Sequence, residues 1–341
     1  MKIGILTGGG DCPGLNSVIR AVVRSAVAEN NEVLGLRYGW KGILEKDYIP
    51  LDVRSVSGIL HKGGTILGTS RTNPYKKENG SETAKKNFTE LGLNALVAIG
   101  GEDTLGVAKK LSSEGLNVVG VPKTIDNDLA ATDFTFGFDT AVNVVMECID
   151  RLHTTAESHN RIMVVEVMGR HAGWIATYAG IAGGADYILI PEIPIDTEEV
   201  CKSIKKRHSR GKNFSIVVVA EGAYFKNENV CLQEKKLDEF GHVRLGGIGH
   251  DLGEIIERST GFETRVTVLG HIQRGGSPSA FDRVLGTRFG VKAYELVKQG
   301  KFGRMASLCG NQVVDVPLEE ATTELKTLDL KLYDIAKIFF G

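Results

Sequence analysis

The sequence lacks blocks of like charge. It contains 41 lysine and arginine residues and 42 aspartate and glutamate residues, so its formal net charge is −1. This balance argues against a nucleic-acid-binding surface and a polybasic membrane anchor. It also means that an anionic substrate has to be held by local arginines, because the overall field offers no attraction. No apolar run approaches the length of a membrane span, and the apolar start at Met1–Leu6 is too short for a signal peptide.

Cysteine is scarce, odd in number and widely spaced, with no closely spaced pair. The cysteines are Cys12, Cys148, Cys201, Cys231 and Cys309. This pattern favours reduced thiols over disulfide bonds or a zinc site. We therefore expect a soluble protein of the cytoplasm.

Proline is also scarce, with 8 residues, whereas the 42 glycines cluster after strand-like runs. Glycine commonly makes tight turns, but it also lets the backbone approach a phosphate group. The first cluster, Gly8–Gly14, lies between an apolar strand and a helix, an arrangement that can bind anions. It lacks the lysine of a Walker A loop, and Pro13 stands where the dinucleotide-binding fingerprint requires a glycine.

Strand-like apolar runs alternate with glycine-containing loops and amphipathic helices along most of the chain. This alternation predicts an α/β fold with doubly wound, mainly parallel sheets. The length of 341 residues and the 42% hydrophobic content suit two lobes with separate cores, divided near Gly137. We also expect a helix over Asp52–His61 and a hairpin or surface excursion over Gly222–Gly247.

Several predicted strands end in loops that carry charged residues, and such loops hold the ligands in open α/β sheets. The heptad Pro122–Asp128 combines two acids, a lysine and a hydroxyl. Other loops of this kind are Gly9–Asp11, Gly101–Asp103, Met168–Arg170, Glu221 and His271–Arg274. Any one of them could be an ordinary polar turn. Together they supply carboxylates for a metal, glycines for one phosphate and arginines for another, as phosphoryl transfer requires.

The chain resembles the phosphofructokinase family over nearly its whole length. The motifs that match in order and spacing are Thr7–Asn16, Gly100–Thr104, Pro122–Asp128, Glu166–Arg170 and Leu269–Pro278. The resemblance implies two phosphofructokinase-like lobes: a phosphoryl-donor lobe at 1–137 plus 273–322, and a fructose 6-phosphate lobe at 138–272 plus 323–341. It implies a reversible glycolytic transfer of phosphate to the 1-hydroxyl of fructose 6-phosphate, giving fructose 1,6-bisphosphate.

The resemblance implies a role for each matched residue. Asp126 resembles the base that takes the proton of the sugar hydroxyl, Thr124 its neighbour, and Arg170 the residue that stabilises the transferring phosphoryl group. The other residues expected to contact fructose 6-phosphate are Ile125, Arg161, Met168, Gly169, Glu221, Arg265, His271, Ile272, Gln273 and Arg274. In the family, Arg161 and Arg265 come from a neighbouring subunit, which implies a homodimer or homotetramer.

Departures from ATP-using members indicate pyrophosphate as the phosphoryl donor. Pyrophosphate-using members carry the aspartate and lysine found here as Asp103 and Lys123, where ATP-using members carry other residues. A carboxylate at Asp103 would meet the α-phosphate of ATP, and like charges about 4 Å apart cost roughly 4 kcal/mol at a dielectric constant near 20. Val107 and Thr72 replace residues that favour ATP binding. The residues expected to bind pyrophosphate are Gly10, Arg71 and Lys123.

The metal ligand implied by the resemblance is Glu102, which would bind Mg²⁺ where most members use aspartate. Exchanged roles for Glu102 and Asp103 stay open, and Asp103 could instead be an acid stabilised by the helix dipole.

Three other functions are weighed. The first keeps the fold and the sugar but uses ATP as the donor. The lipid and NAD kinases share a GGDG-like loop, but they leave the sugar-phosphate motifs unexplained. A non-catalytic sugar-phosphate sensor would have lost its base, yet Asp126 is present.

Overall fold

The structure is a computed structural model that describes residues 1–226 and 246–341. Its strands are β1 (Lys2–Thr7), β2 (Glu32–Leu36), β3 (Tyr48–Leu51), β4 (Ala95–Gly100), β5 (Val118–Thr124), β6 (Phe136–Gly137), β7 (Ile162–Val167), β8 (Tyr187–Leu189), β9 (Ser215–Ala220), β10 (Thr264–Val268), β11 (Arg304–Cys309) and β12 (Gln312–Pro317). Its helices are α1 (Leu15–Ala28), α2 (Trp40–Glu45), α3 (Gly80–Glu90), α4 (Glu102–Ser113), α5 (Phe138–His159), α6 (Trp174–Ala182), α7 (Thr197–Ser209), α8 (Ile248–Thr260), α9 (Ala280–Lys298), α10 (Leu318–Ala321) and α11 (Leu330–Lys337).

The chain divides into two compact units. The first unit comprises Met1–Ile125, Leu129–Thr140 and Arg274–Leu325, and the second comprises Asp126–Asp128, Ala141–Gln273 and Lys326–Gly341. Among the described residues, no helix is both long and apolar enough to cross a bilayer.

The first unit is built on a sheet with the strand order β12-β11-β5-β4-β1-β2-β3, and β6 pairs with β5. The strands from β11 to β2 are parallel, whereas β12 and β3 pair antiparallel at the two edges. Strand β4 is buried throughout because Ala, Leu, Val and Ile face helices on both sides of the sheet. Helices α1 and α9 pack closely, since a Cβ atom on Gly290 would lie 2.6 Å from the carbonyl oxygen of Val18.

The second unit is built on four parallel strands in the order β10-β7-β9-β8. Strands β7 and β9 are buried along their whole length. The core on one face joins Val164 and Val217 of these strands to Ile204 of α7 and Leu252 and Ile256 of α8.

The predicted α/β fold with mainly parallel sheets is confirmed. The helix predicted over Asp52–His61 is wrong, because the segment forms turns. Asp52 and Ser55 exchange backbone-to-side-chain hydrogen bonds of 2.7 and 2.8 Å, which close a first turn. Gly58, with a positive φ of 70°, does not continue this turn as a helix. The hairpin of β11 and β12 was not predicted. Most of the Gly222–Gly247 excursion lies outside the described residues.

Candidate active site

The first unit brings three loops to one edge of its sheet. Strands β5, β4 and β1 are parallel neighbours, with Gly100 beside Pro122 and Ile99 beside Thr7. Their carboxyl ends therefore lie together, and the chain leaving them carries Gly8–Gly10, Glu102 and Lys123. We call this set of loops the donor edge. The predicted site residues of the first unit are Gly10, Arg71, Glu102, Asp103, Lys123, Thr124, Ile125 and Arg274.

Lys123 lies beneath the first glycine loop. Its side chain is only 4% exposed, and its Nζ donates a hydrogen bond to the carbonyl oxygen of Gly10. Thr69 Oγ1 donates to the carbonyl oxygen of the preceding Gly9 over 2.5 Å. Both hydrogen bonds fix the backbone of the loop, and a buried lysine places a positive charge next to it. The donor edge is thus a candidate anion site.

Thr104 explains two of the glycines at the donor edge. Its buried side chain packs against Gly8 and Gly100, so that a Cβ atom on Gly8 would lie 2.5 Å from Thr104 Oγ1 and 2.9 Å from its methyl carbon. A Cβ atom on Gly100 would overlap the same side chain. These glycines are therefore required by packing, and neither has a positive φ.

Asn16 organises a second glycine loop, Gly63–Gly68, and the sequence analysis missed this role. This buried residue of α1 donates from Nδ2 to the carbonyl oxygen of Lys62 over 3.0 Å, and its Oδ1 accepts from Ile66 N–H over 2.9 Å. The available signal was an asparagine among the apolar residues of an amphipathic helix, where a polar group needs partners. Arg71 follows this loop and is exposed.

Glu102 and Asp103 begin α4 and are both exposed. Their negative charges are favoured there by the helix dipole. No group of three or more His, Cys, Asp or Glu side chains in residues 1–226 and 246–341 could hold a metal ion. Mg²⁺ usually takes one or two protein carboxylates and completes its shell with water and substrate phosphates. The two neighbouring carboxylates therefore fit Mg²⁺.

Buried titratable groups lie behind the donor edge. Burial raises the pKa of the Cys12 thiol, an effect that the positive charge of Lys123 partly offsets. Burial also raises the pKa of Asp282 to about 6, although hydrogen bonds from Thr140 lower it in part. Thr140 donates to Asp282 Oδ2 from its backbone N–H over 2.8 Å and from Oγ1 over 2.5 Å. Asp282 thereby ties the first turn of α9 to the start of α5.

The second unit brings its own loops to the carboxyl ends of β7, β9 and β10, where Val167 pairs with Ala220 and Glu166 with Val268. We call this set the sugar edge; it comprises Met168–Arg170, Glu221 and residues 270–273. The predicted site residues of the second unit are Asp126, Arg161, Met168, Gly169, Arg170, Glu221, Arg265, His271, Ile272 and Gln273.

Glu221 holds the backbone of Arg170 in an uncommon conformation. Its Oε1 accepts a hydrogen bond from Arg170 N–H over 3.2 Å, and its own N–H donates to the carbonyl oxygen of Val167 over 2.7 Å. Arg170 has a positive φ of 51° and follows Gly169, whose φ is 140°. Backbone in this region is disfavoured for an arginine and persists only when its surroundings enforce it.

Gln273 is fully buried, and its amide group joins two loops of the sugar edge. Its Oε1 accepts from Met168 N–H over 3.2 Å, and its Nε2 donates to the carbonyl oxygen of Gly270 over 3.1 Å. The side chain is thus engaged with protein backbone. The neighbouring His271 and Ile272 are exposed.

Asp126 is buried, and Lys326 holds the two residues that follow it. Lys326 N–H donates to the carbonyl oxygen of Asp128 over 2.9 Å, and Lys326 Nζ donates to Asn127 Oδ1 over 3.2 Å. The sequence analysis missed Lys326, which lies about two hundred residues further along the chain. No local pattern marks such a pairing.

Arg161 and Arg265 lie at the opposite end of the second sheet. Arg161 precedes β7, and Arg265 is the second residue of β10 beside it. Both pair with Glu263, Arg161 over 2.9 Å, and the Arg161 hydrogen bond lowers the pKa of that exposed carboxyl. A strand rises about 3.3 Å per residue, so Met168, which follows β7, lies on the order of 20 Å from Arg161, which precedes it. Within one chain these arginines do not join the sugar edge.

Comparison with known proteins gives a consistent answer. The family described as Phosphofructokinase matches residues 2–297. The chain is 59% identical over 343 residues to a pyrophosphate–fructose 6-phosphate 1-phosphotransferase of Streptomyces coelicolor, covering all of both chains. It is 54% identical to ATP-dependent 6-phosphofructokinase 3 of the same organism, covering 96% of each. Phosphofructokinase from Saccharomyces cerevisiae has a similar structure, with a TM-score of 0.82 and 32% identity over 99% of this chain and 46% of the yeast chain.

This chain therefore belongs to the phosphofructokinase family. Similar relatives are named for each of the two donors, so overall identity alone does not decide between pyrophosphate and ATP.

Proposed function

We propose that this protein transfers a phosphoryl group from pyrophosphate to the 1-hydroxyl of fructose 6-phosphate, giving fructose 1,6-bisphosphate and phosphate. The observation that carries the choice of donor is Lys123, which is buried and hydrogen-bonded to Gly10 at the donor edge. A lysine there supplies a cation to the phosphate that leaves when the P–O bond breaks. The exposed carboxylate of Asp103 opposes the longer polyphosphate of ATP by charge repulsion.

The transfer needs a base, a stabiliser of the phosphoryl group and a metal ion. We assign Asp126 as the base that takes the proton of the 1-hydroxyl while its oxygen attacks phosphorus. Arg170 would stabilise the charge on the transferring group, in the backbone conformation that Glu221 supports. Glu102 would hold Mg²⁺, whose charge neutralises phosphate oxygens when bound.

The remaining predicted residues would bind the sugar phosphate and the donor. Glu221, Thr124 and the backbone of Ile125, Met168 and Gly169 would contact the sugar, and His271, Ile272, Gln273 and Arg274 would lie about its 6-phosphate. Gly10 and Arg71 would contact pyrophosphate. The first unit would thus serve as the donor lobe and the second as the fructose 6-phosphate lobe.

We propose that a neighbouring subunit completes the 6-phosphate site in a homodimer or homotetramer. The position of Arg161 and Arg265 supports this, because they stand at the end of the second sheet away from the sugar edge. Their guanidinium groups can each bind a phosphate through two hydrogen bonds. In the single chain, both arginines form ion pairs with Glu263. The separated cysteines of the sequence support a cytoplasmic location.

The decisive experiment is an initial-rate assay with fructose 6-phosphate and Mg²⁺, in which pyrophosphate and ATP are supplied in separate reactions. Turnover with pyrophosphate and little with ATP is the expected result. Turnover with ATP alone would mean that ATP is the donor and fructose 6-phosphate is still the acceptor. This second candidate function is favoured by the relatives named as ATP-dependent.

A further inference from the structure

Arg274 lies against the glycine loop Gly8–Gly10 of the donor edge, which we call the donor loop. Its motif, however, is expected to bind the 6-phosphate of the sugar. The three heavy atoms nearest to a Cβ atom built on Gly10 all belong to its guanidinium group. This Cβ atom would overlap Nη1 and would lie 2.8 Å from Cζ and 3.3 Å from Nη2. The guanidinium therefore occupies the space that a side chain at position 10 would need.

Backbone conformation does not explain the glycine at position 10. Gly10 is absent from the residues with positive φ, unlike Gly9, whose φ is 78°. Since no positive φ excludes a side chain at this position, the packing of Arg274 is the physical reason for the missing side chain.

The charge of Arg274 also has no acidic partner in the described part of the chain, where no ion pair involves this residue. Its Nε is buried and makes no hydrogen bond to any described group. Burying a polar N–H without a partner is unfavourable, which points to an anion or water that completes it. Lys123 reaches the same Gly10 through its carbonyl oxygen. Gly10 is thus contacted by two cationic side chains, Lys123 through a hydrogen bond and Arg274 through packing.

We infer that Arg274 is a positioning residue of the donor loop: its guanidinium packs on Gly10 and, with Lys123, fixes the backbone that receives the phosphoryl donor. This inference rests on the proposed function, and it adds a donor-side role to a residue expected only at the sugar phosphate. Gly10 and Arg274 then form a matched pair, in which the missing Cβ of one makes room for the guanidinium of the other.

A double-mutant cycle on this pair tests the inference by calorimetric binding of imidodiphosphate with Mg²⁺. In the parent, Gly10→Ala displaces the guanidinium and should weaken binding by about tenfold or more. In the Arg274→Ala background the space is free, so Gly10→Ala should cost less than about threefold. The control is Gly106→Ala on α4, whose Cβ atom meets nothing within 4 Å and should leave binding unchanged in both backgrounds.

Equal losses from Gly10→Ala in both backgrounds would overturn the inference, as would a harmless Gly10→Ala in the parent. If Gly10→Ala does not fold, Arg274→Met replaces the cycle: binding should weaken about tenfold at an unchanged Tm, and unchanged binding would overturn the inference. A parent that binds a nonhydrolysable ATP analogue instead of imidodiphosphate would refute the proposed donor. The same cycle, measured with that analogue, would then decide the role of Arg274.

Discussion

The donor edge and the sugar edge both lie at the carboxyl ends of parallel strands, yet they differ in the contacts that dominate them. At the donor edge, Gly8, Gly10 and Gly100 leave space that Thr104 and Arg274 fill. At the sugar edge, polar side chains reach across to backbone groups of neighbouring loops. An added Cβ atom at Gly8, Gly10 or Gly100 would therefore disturb the donor edge. Loss of the Gln273 or Glu221 side chain would remove hydrogen bonds from the sugar edge.

The ligands proposed for the two edges differ in shape, and this difference would account for the contrast. Pyrophosphate presents oxygens in all directions, so backbone N–H groups and a few cations can bind it once the backbone comes close. A sugar phosphate has an asymmetric pattern of hydroxyls, so its recognition depends on side chains held in fixed orientations. The following predictions test the comparison, beginning with the largest effect.

Asp126→Asn should reduce turnover about a thousandfold, because general-base catalysis contributes roughly 10²–10⁴-fold. Binding of fructose 6-phosphate should persist, measured by calorimetry beside the rate assay. Asp150→Asn, which changes an exposed aspartate of α5, is the matched control and should retain full turnover. A loss of less than tenfold in Asp126→Asn would exclude this residue as the base.

Asp103→Gly should raise the ratio of kcat/KM for ATP to that for pyrophosphate by about a hundredfold. The removed repulsion is roughly 4 kcal/mol at a separation of about 4 Å, which sets the upper limit. The two kcat/KM values are obtained from initial rates with each donor. Glu198→Gly removes an exposed acid from the first turn of α7 and should leave the ratio unchanged. An unchanged ratio in Asp103→Gly would contradict the role given to this carboxylate.

Gln273→Ala should raise the KM for fructose 6-phosphate about tenfold while leaving the KM for the donor within twofold. Two backbone groups, Met168 N–H and the carbonyl of Gly270, lose their partner, and each buried unsatisfied group costs about 1–3 kcal/mol. Steady-state kinetics and thermal unfolding measure both effects. Gln299→Ala, at the exposed end of α9, is the control. Equal changes in the KM for fructose 6-phosphate and the KM for the donor would contradict a role of Gln273 confined to the sugar edge.

Asp282 should make the stability of the protein depend on pH between about 4 and 6. Its pKa is raised to about 6 in the folded state from about 3.8 in the unfolded chain. The folded state therefore keeps the proton to a higher pH. This stabilisation is complete below pH 4 and is lost as the pH rises through 6, by an amount on the order of 2–3 kcal/mol. Asp282→Asn should remove this part of the slope in denaturant unfolding at each pH. A slope equal to that of the parent would show that Asp282 does not titrate in this range.

Local patterns predicted much of the fold and the strand ends that the charged loops follow. Alternating apolar runs and glycine loops predicted parallel sheets, because a buried parallel strand needs apolar residues on both faces. The turn over Asp52–His61 was mistaken for a helix, since the reciprocal bonds of Asp52 and Ser55 have the pattern that commonly begins one. Gly58, with its positive φ, does not continue a helix. The β11–β12 hairpin was missed although its two-residue turn, Gly310 and Asn311 between two strand-like runs, is a recognised hairpin signal.

The amino-acid sequence alone was enough to indicate the family, the parallel-sheet fold and the residue types of the site, because glycines, acids and arginines cluster in short motifs. Tertiary structure alone revealed partners that are far apart in the chain: Lys326 with Asn127, and Arg274 with Gly10. It also showed that Arg161 lies at the far end of its sheet. Motifs record local backbone requirements, whereas these pairings depend on how strands and helices return to one another, which sequence spacing does not encode.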